Sequence, residues 1–245
     1  MLSSKQMLPE WMDEHDIKEE DYHGAMVALS TLNAWSRSAQ ILCRHACRLI
    51  HGLPEGENGR PLLVHDYGCG DGDLTARFSR CLHRDGIAHR IVGFDANARG
   101  IKRGRTLFCS QKYASIELHT TDVLSLDEPC DLAISSLFMH HLTDSDLQTL
   151  LEQLRSLAAV GLIFTDLRRC YSGLALAHLA TRCLTSSDVA RNDGPISVRN
   201  SRTCEEIRSL ASRAGLERAR VYRHWPARLV LHWQAQTARC VEKAY

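Results

Sequence analysis

Short apolar runs alternating with stretches of helical period organise the chain from residue 62 onward. Leu62-Leu63-Val64 leads through His65-Asp66-Tyr67 into Gly68, Gly70 and Gly72, and a run of this length bounded by turn residues reads as a buried strand. From Leu74 to Leu82 the apolar residues Leu74, Phe78, Cys81 and Leu82 recur three and four apart, which predicts a helix starting directly on the glycine loop. A second run, Arg90 to Phe94, ends in Asp95 and Ala96. A third, Ser115 to Thr121, alternates and ends in Asp122-Val123. The fourth, Cys130 to Ser136, continues as Leu137-Phe138-Met139-His140-His141-Leu142 into a helix with a capping-box-like start at Thr143 and Asp146. Val160 to Asp166 is a fifth strand. Thr203-Cys204-Glu205-Glu206 is a capping box opening a helix to about Ala214, which Gly215 ends. Glu217 to Arg223 and Arg228 to Trp233 flank a proline-containing turn and read as an antiparallel hairpin.

Two stretches lie outside this alternation. Gly24 to Ile50 reads as a long helix with an imperfect stripe of Met26, Leu29, Leu32, Ile41, Leu42, Leu49 and Ile50, which Ser36-Arg37-Ser38 is placed to break. The glycines and prolines from Gly52 to Pro61 then form a loop. Between the fifth strand and the last large helix, Arg168-Arg169 precedes an apolar helix through Leu174, Leu176, Leu179 and Leu184 and a polar loop from Arg191 to Pro195. The division expected is a helical extension over residues 1–60 and a main domain over 61–245, with an insertion at about 167–200. The two helical stretches either form an apolar lid over an acceptor or pack on the sheet as core.

A chain of 245 residues, 44% hydrophobic, suffices for one buried α/β domain and an appended segment. A net charge of +1 supplies no basic field for nucleic acid, and no zinc-finger or RNA-binding signature appears, so the partner expected is a small molecule. No run approaches the roughly 18 apolar residues of a membrane span. The first thirty residues lack the apolar centre of a signal peptide, and the location expected is cytoplasmic. Ten cysteines without a CxxC pair fit reduced thiols. Cys43, His45, Cys47 and His51 cluster on one helix, where Cys43 and Cys47 at i, i+4 have a spacing that can share a metal. Semi-buried helix residues are the preferred reading, and no metal is expected.

The glycine loop decides the ligand. A dinucleotide fingerprint wants its third glycine at position 73, which is Asp, and Asp66, Asp71 and Asp73 disfavour a pyrophosphate and suit a cation. The pattern resembles the first motif of class I S-adenosylmethionine-dependent methyltransferases, and the similarity extends to roughly Trp233. It implies a Rossmann-like fold, a seven-stranded mostly parallel sheet closed by a C-terminal antiparallel hairpin, with S-adenosyl-L-methionine as cofactor. The resemblance places Asp66, Gly68, Gly70 and Gly72 in the cofactor loop. It puts Asp95, 23 residues after Gly72, with Ala96 at the ribose hydroxyls, Asp122 and Val123 at the adenine, and Ser135 and Phe138 beside the sulfonium. Asp95 also reads as a helix N-cap, and Asp122 as a turn acid.

Methyl transfer from a sulfonium is an in-line displacement, so acceptor, methyl and sulfur must be held in a row with water kept away. A hydroxyl acceptor must also lose its proton. Histidine titrates in the useful range, and the family resemblance puts His140 and His141 near the reaction centre, with His23 and His15 as rivals. Segments 32–36, 164–169 and 192–199 are similar to bacterial small-molecule methyltransferases of the ubiquinone/menaquinone type. The activity implied is O-methylation of a small apolar or aromatic hydroxyl acceptor. Quinone-type C-methylation and non-catalytic cofactor binding are the alternatives. The Asn-Pro-Pro-Tyr-type motif of nucleic-acid amino methylases is replaced by Ser135-Ser136-Leu137-Phe138. Acceptor identity and oligomeric state are matters of pocket and surface shape.

Overall fold

Seven strands hydrogen-bond into one sheet: β1 (Leu62–Tyr67), β2 (His89–Asp95), β3 (Ile116–Thr120), β4 (Cys130–Ser136), β5 (Ala158–Leu167), β6 (Arg220–His224) and β7 (Arg228–Gln234). The computed structural model describes residues 4–14, 16–50, 60–111 and 115–236. The spatial order is β3-β2-β1-β4-β5-β7-β6. Strands β1 to β5 run parallel, and β7 pairs antiparallel with both β5 and β6. The strand order reverses between β1 and β4, which opens a crevice at their carboxyl ends where such sheets bind ligands. At Gly161 (φ 148°) a Cβ would lie 2.2 Å from Trp233 O, so β7 seats on β5 only against a residue without a side chain.

The helices are α1 (Glu19–Trp35), α2 (Ser38–Ile50), α3 (Asp73–Arg84), α4 (Ala98–Gln111), α5 (Asp144–Leu157), α6 (Tyr171–Leu184), α7 (Asp188–Asn200) and α8 (Cys204–Arg213). The sheet is covered on both faces, which is why its central strands are buried along nearly their whole length rather than at alternate positions. One core joins Phe94, Leu147, Leu151, Phe164, Ile207 and Leu231 under α5 and α8. The other joins Leu42, Val64, Phe78, Ile101, Ile134 and Ile163 under α2, α3 and α4. Each such side chain contributes about 1.5–3 kcal/mol by leaving water.

Three expected boundaries are corrected. The helix over 24–50 begins earlier, at Glu19, and breaks at the expected Ser36-Arg37-Ser38. Arg37 adopts a left-handed φ of 53°, ending α1 so that α2 can turn onto α3. The polar loop expected over 191–195 is instead the middle of α7, with Pro195 inside it. Ser187 caps that helix through Ala190 N, and Asp193 accepts from Trp11 N and Met12 N at 2.9 Å each. Gly194 sits where a Cβ would be 2.6 Å from Thr181, so the Asn-Asp-Gly-Pro sequence serves helix packing instead of a turn. The penultimate strand starts at Arg220, because Arg218 (φ 62°) lies in the preceding turn. His15, His51 and the expected loop residues 52–59 lie outside the described residues.

Candidate active site

The cradle is built at the carboxyl ends of β1 and β2. Gly68, Gly70 and Gly72 all have positive φ (73°, 60° and 75°), a conformation glycine adopts freely. Gly70 N donates to Asp95 Oδ2 at 2.8 Å and Asn97 N donates to Asp95 Oδ1 at 2.8 Å. Asp95 therefore ties the glycine loop to the start of α4, and each oxygen keeps a lone pair for a further donor. Capping of α4 falls to Asn97, whose Oδ1 accepts from Arg99 N and Gly100 N. A Cβ on Gly70 would meet nothing within 4 Å, so this part of the loop faces open space.

Packing behind the loop sets its shape. In α4, Gly100 and Gly104 lie one turn apart, and a Cβ on Gly104 would come 2.3 Å from Asp71 O. Asp71 is buried and accepts from Arg103 Nε at 3.0 Å. Asp66 is buried with one hydrogen bond, from Thr75 Oγ1 at 2.6 Å. Burial pushes its carboxyl up to about 7, against the Thr75 hydrogen bond and with the Asp95 charge adding to the rise. Tyr22 of α1 lies under the Arg99 guanidinium, 5.0 Å from its ring centroid, and His23 contacts Arg103. His23 thus belongs to the rim of the cradle.

The other residues singled out in the sequence sit as follows. Ala96 is exposed at the tip of β2. Asp122 is exposed and caps a 3₁₀ turn by accepting from Leu124 N at 3.0 Å, as its turn-acid reading anticipates, while Val123 is buried. Ser135 donates to Tyr67 O at 2.7 Å, so its proton is committed to joining β4 to β1. The Phe138 ring lies over the first glycine: a Cβ on Gly68 would be 2.2 Å from it.

Next to the cradle, across the loop after β4, is a cavity of about 180 Å³. Its walls include Leu29, Leu32 and Trp35 of α1, Leu176, Ala177 and Ala180 of α6, Val198 of α7, and Pro226 and Ala227 of the β6–β7 turn. One end is polar, with Glu10, Asp13, His140, His141 and Asp193. Leu137 and His140 line this cavity while Phe138 between them covers Gly68. One short loop therefore touches both the cradle and the cavity. Buried Arg202 holds that loop, donating to Met139 O at 2.6 Å and Leu142 O at 2.8 Å.

The two histidines differ. His140 is buried; its Nδ1 lies 2.8 Å from Asp166 Oδ1, and its backbone N donates to Asp166 Oδ2 at 2.9 Å. Asp166 at the end of β5 resists protonation. Burial opposes its charge, but the His140 imidazole and the Leu167 N–H outweigh that and hold its carboxyl below the usual range. The carboxylate fixes the ring with a proton on Nδ1 and leaves Nε2 as the basic atom; Nε2 is 3.8 Å from Glu10 Oε1. The His141 ring lies 4.2 Å from that of His140 and its Nδ1 is 3.3 Å from Asp13 Oδ2. Desolvation works against its charge, yet the Asp13 hydrogen bond and the Glu10, Asp13 and Asp166 carboxylates raise it to about 9. The Asp13 pairing thus favours the protonated form of the His141 ring at neutral pH. Asp166 and Glu10 were not singled out as site residues in the sequence, because only the fold brings them to His140. The i, i+4 glycines of α4 were a local signal that could have been read.

Residues 64–161 match the family model of the methyltransferase domain. No curated protein sequence matches the chain. Among solved structures, magnesium protoporphyrin IX methyltransferase (ChlM) from Synechocystis PCC 6803 with bound SAH is 16% identical, with 91% of this chain and 90% of that chain covered and a TM-score of 0.54. Human N-acetylserotonin methyltransferase in complex with SAM is 16% identical over 88% of this chain and 57% of that one, at a TM-score of 0.59. The plantazolicin methyltransferase BpumL, in complex with a desmethyl analogue and SAH, is 13% identical over 87% and 77%, at 0.61. At these identities the structures establish the fold, and the domain match is confined to residues 64–161. Those residues carry the match to the methyltransferase domain, and the sheet is similar in fold to the S-adenosylmethionine-dependent methyltransferases named above.

Proposed function

We propose that this enzyme methylates a hydroxyl oxygen on a small apolar or aromatic acceptor held in the cavity beside His140. The observation that carries this reading is the loop from Leu137 to His140, which reaches the glycine cradle with Phe138 and the acceptor cavity with its two ends. Bound in the cradle, S-adenosylmethionine supplies an electrophilic methyl group on a positive sulfur. The open face at Gly70 and the unused lone pairs of Asp95 fit an adenosine ribose, and the carboxyl-rich loop fits a cation.

The chain's own residues do the rest. Apolar walls from α1, α6 and α7 exclude competing water and align the acceptor. The cavity is close to the roughly 150 Å³ that accommodates one benzene ring, so a single substituted ring suits it, its hydroxyl at the polar end. His140 Nε2 takes the hydroxyl proton as the oxygen attacks, and Asp166 stabilises the imidazolium through Nδ1. His141, held positive by Asp13, favours developing oxyanion character in the acceptor. Ala96, Asp122 and Val123 flank the adenosine end, and Asp66 and Gly72 shape the loop beneath the amino-acid tail. The helical segments before residue 61 and between 167 and 200 act together as the lid of the cavity.

The reading is tested by turnover of the full chain with S-adenosylmethionine on single-ring phenols, their methyl ethers and quinols. Transfer to free phenols with none to the ethers supports it. Methylation at ring carbon would replace it with the C-methyltransferase reading, and tight cofactor binding without turnover on any member would favour a binding protein.

A further inference from the structure

A second cluster of chemistry-bearing side chains lies away from this cavity, between α2 and α3. Cys43 and Cys47 are one helical turn apart on α2, and Cys81 and Asp85 are one turn apart at the end of α3. Packing of the two helices brings both pairs together. Cys43 Sγ and Cys47 Sγ are 3.9 Å apart, and Asp85 Oδ2 is 3.8 Å from the first and 3.5 Å from the second. Cys81 lies beside Cys43, outside this group of three converging ligand atoms.

These separations are those of a coordination shell. With Zn–S near 2.3 Å and Zn–O near 2.1 Å, a tetrahedral ion spaces its ligand atoms by about 3.8 Å between sulfurs and about 3.6 Å between sulfur and oxygen. Arg84 orients the acidic ligand: its Nε donates to Asp85 Oδ1 at 3.1 Å, leaving Oδ2 toward the sulfurs, and its Nη2 donates to Cys81 Sγ at 3.3 Å. A guanidinium there offsets part of the negative charge of two thiolates and a carboxylate, the role that outer partners play around metals. Cys43 and Cys81 are buried, while Cys47 and Asp85 are partly exposed, which leaves an entry path from solvent.

We propose that Cys43, Cys47 and Asp85 form a binding site for zinc(II), with a water molecule completing the tetrahedron. The soft sulfur ligands select this ion over magnesium or calcium. As each metal–sulfur bond forms, the thiol proton passes to the buffer. The ion clips α2 to α3, the helix that starts on the glycine loop, and so joins the N-terminal helical layer to the cofactor cradle without touching the reacting groups.

The test uses the full chain, freed of metal and with its thiols reduced, titrated with cobalt(II) and then with zinc(II). One cobalt per chain is expected, with thiolate charge-transfer absorption and tetrahedral visible bands that zinc abolishes. Zinc is expected to raise the melting temperature, as any ligand selective for the folded state does. Asp85→Asn weakens binding by at least about tenfold, and Cys43→Ser with Cys47→Ser removes the thiolate absorption. If that double variant does not fold, Cys47→Ser alone, at a partly exposed position, must still lower the thiolate absorption and the affinity. Failure of the folded wild-type chain to take up one equivalent would overturn the proposal. So would unchanged thiolate bands in the variants, or a spectrum without thiolate absorption, which would point to Glu10, His140 and His141, whose ligand atoms also converge.

Discussion

The glycine cradle and the apolar cavity share one edge of the same sheet but are built from differently distributed sequence. The cradle draws on β1, the glycine loop, β2 and α4, all within residues 62 to 111, and its key bonds, such as Gly70 N to Asp95, join neighbouring strand ends. The cavity draws on residues 10 to 36, 137 to 141, 167 to 198 and the β6–β7 turn. Its polar end exists only because Asp193 and Asn200 of α7 anchor the segment around Glu10 across most of the chain. A ligand common to a whole family is met by a compact motif, and a ligand particular to one member by peripheral segments that the core leaves free to vary.

Separating the two regions experimentally should give different kinetic signatures. The largest effect is expected at the cavity: His140→Ala should lower kcat by about 10² to 10⁴ while the cofactor dissociation constant, measured by calorimetry, stays within about twofold, because the ring meets the acceptor. An equal loss of cofactor affinity would erase the distinction. In the cradle, Asp95→Ala leaves the Gly70 and Asn97 N–H groups without their acceptor. At about 1–3 kcal/mol for such groups, cofactor affinity should fall about 5- to 150-fold, with equilibrium binding as the readout.

Gly104→Ala sharpens the contrast from behind the loop. Its new Cβ would press on Asp71 O, an overpacking cost of about 1–3 kcal/mol, and thermal unfolding should drop by about 2–4 °C per kcal/mol for a chain this size. Unchanged melting would mean α4 does not set the loop. A pH-dependent effect concerns Asp66, held at about 7 when folded. Its unfolded value is near 3.9, so the native state binds the extra proton. That contribution is complete below about pH 4 and is lost as pH rises through 7, at no more than about 1.4 kcal/mol per pH unit. Asp66→Asn should therefore gain stability relative to wild type between pH 5 and 8 in denaturant titrations; parallel curves would contradict the burial of this carboxyl.

Much of this molecule was legible in the sequence, but unevenly. Strands β1 to β5, the N-cap at Thr143, the capping box at Thr203, and the closing hairpin follow from apolar runs and local turn chemistry. Residues 191–195 were not legible, since Asn-Asp-Gly-Pro has the composition of a turn. Only the hydrogen bonds from Trp11 and Met12 and the close approach to Thr181 make it helical. Asp166 stood at the end of a readable strand, yet its pairing with His140 is a property of two strand ends that no periodicity encodes. Likewise the i, i+4 thiols of α2 were visible, whereas their meeting with Asp85 required the packing of α2 on α3.

The central claim is that the loop from Leu137 to His140 brings cofactor and acceptor together. A crystal structure of the chain with S-adenosylhomocysteine and a single-ring phenol tests it most directly. The account predicts the cofactor sulfur beside Phe138 and Gly68, with the phenol oxygen at about 3 Å from His140 Nε2. A phenol bound outside the cavity, or a cofactor lying away from Gly68, Gly70 and Asp95, would contradict it.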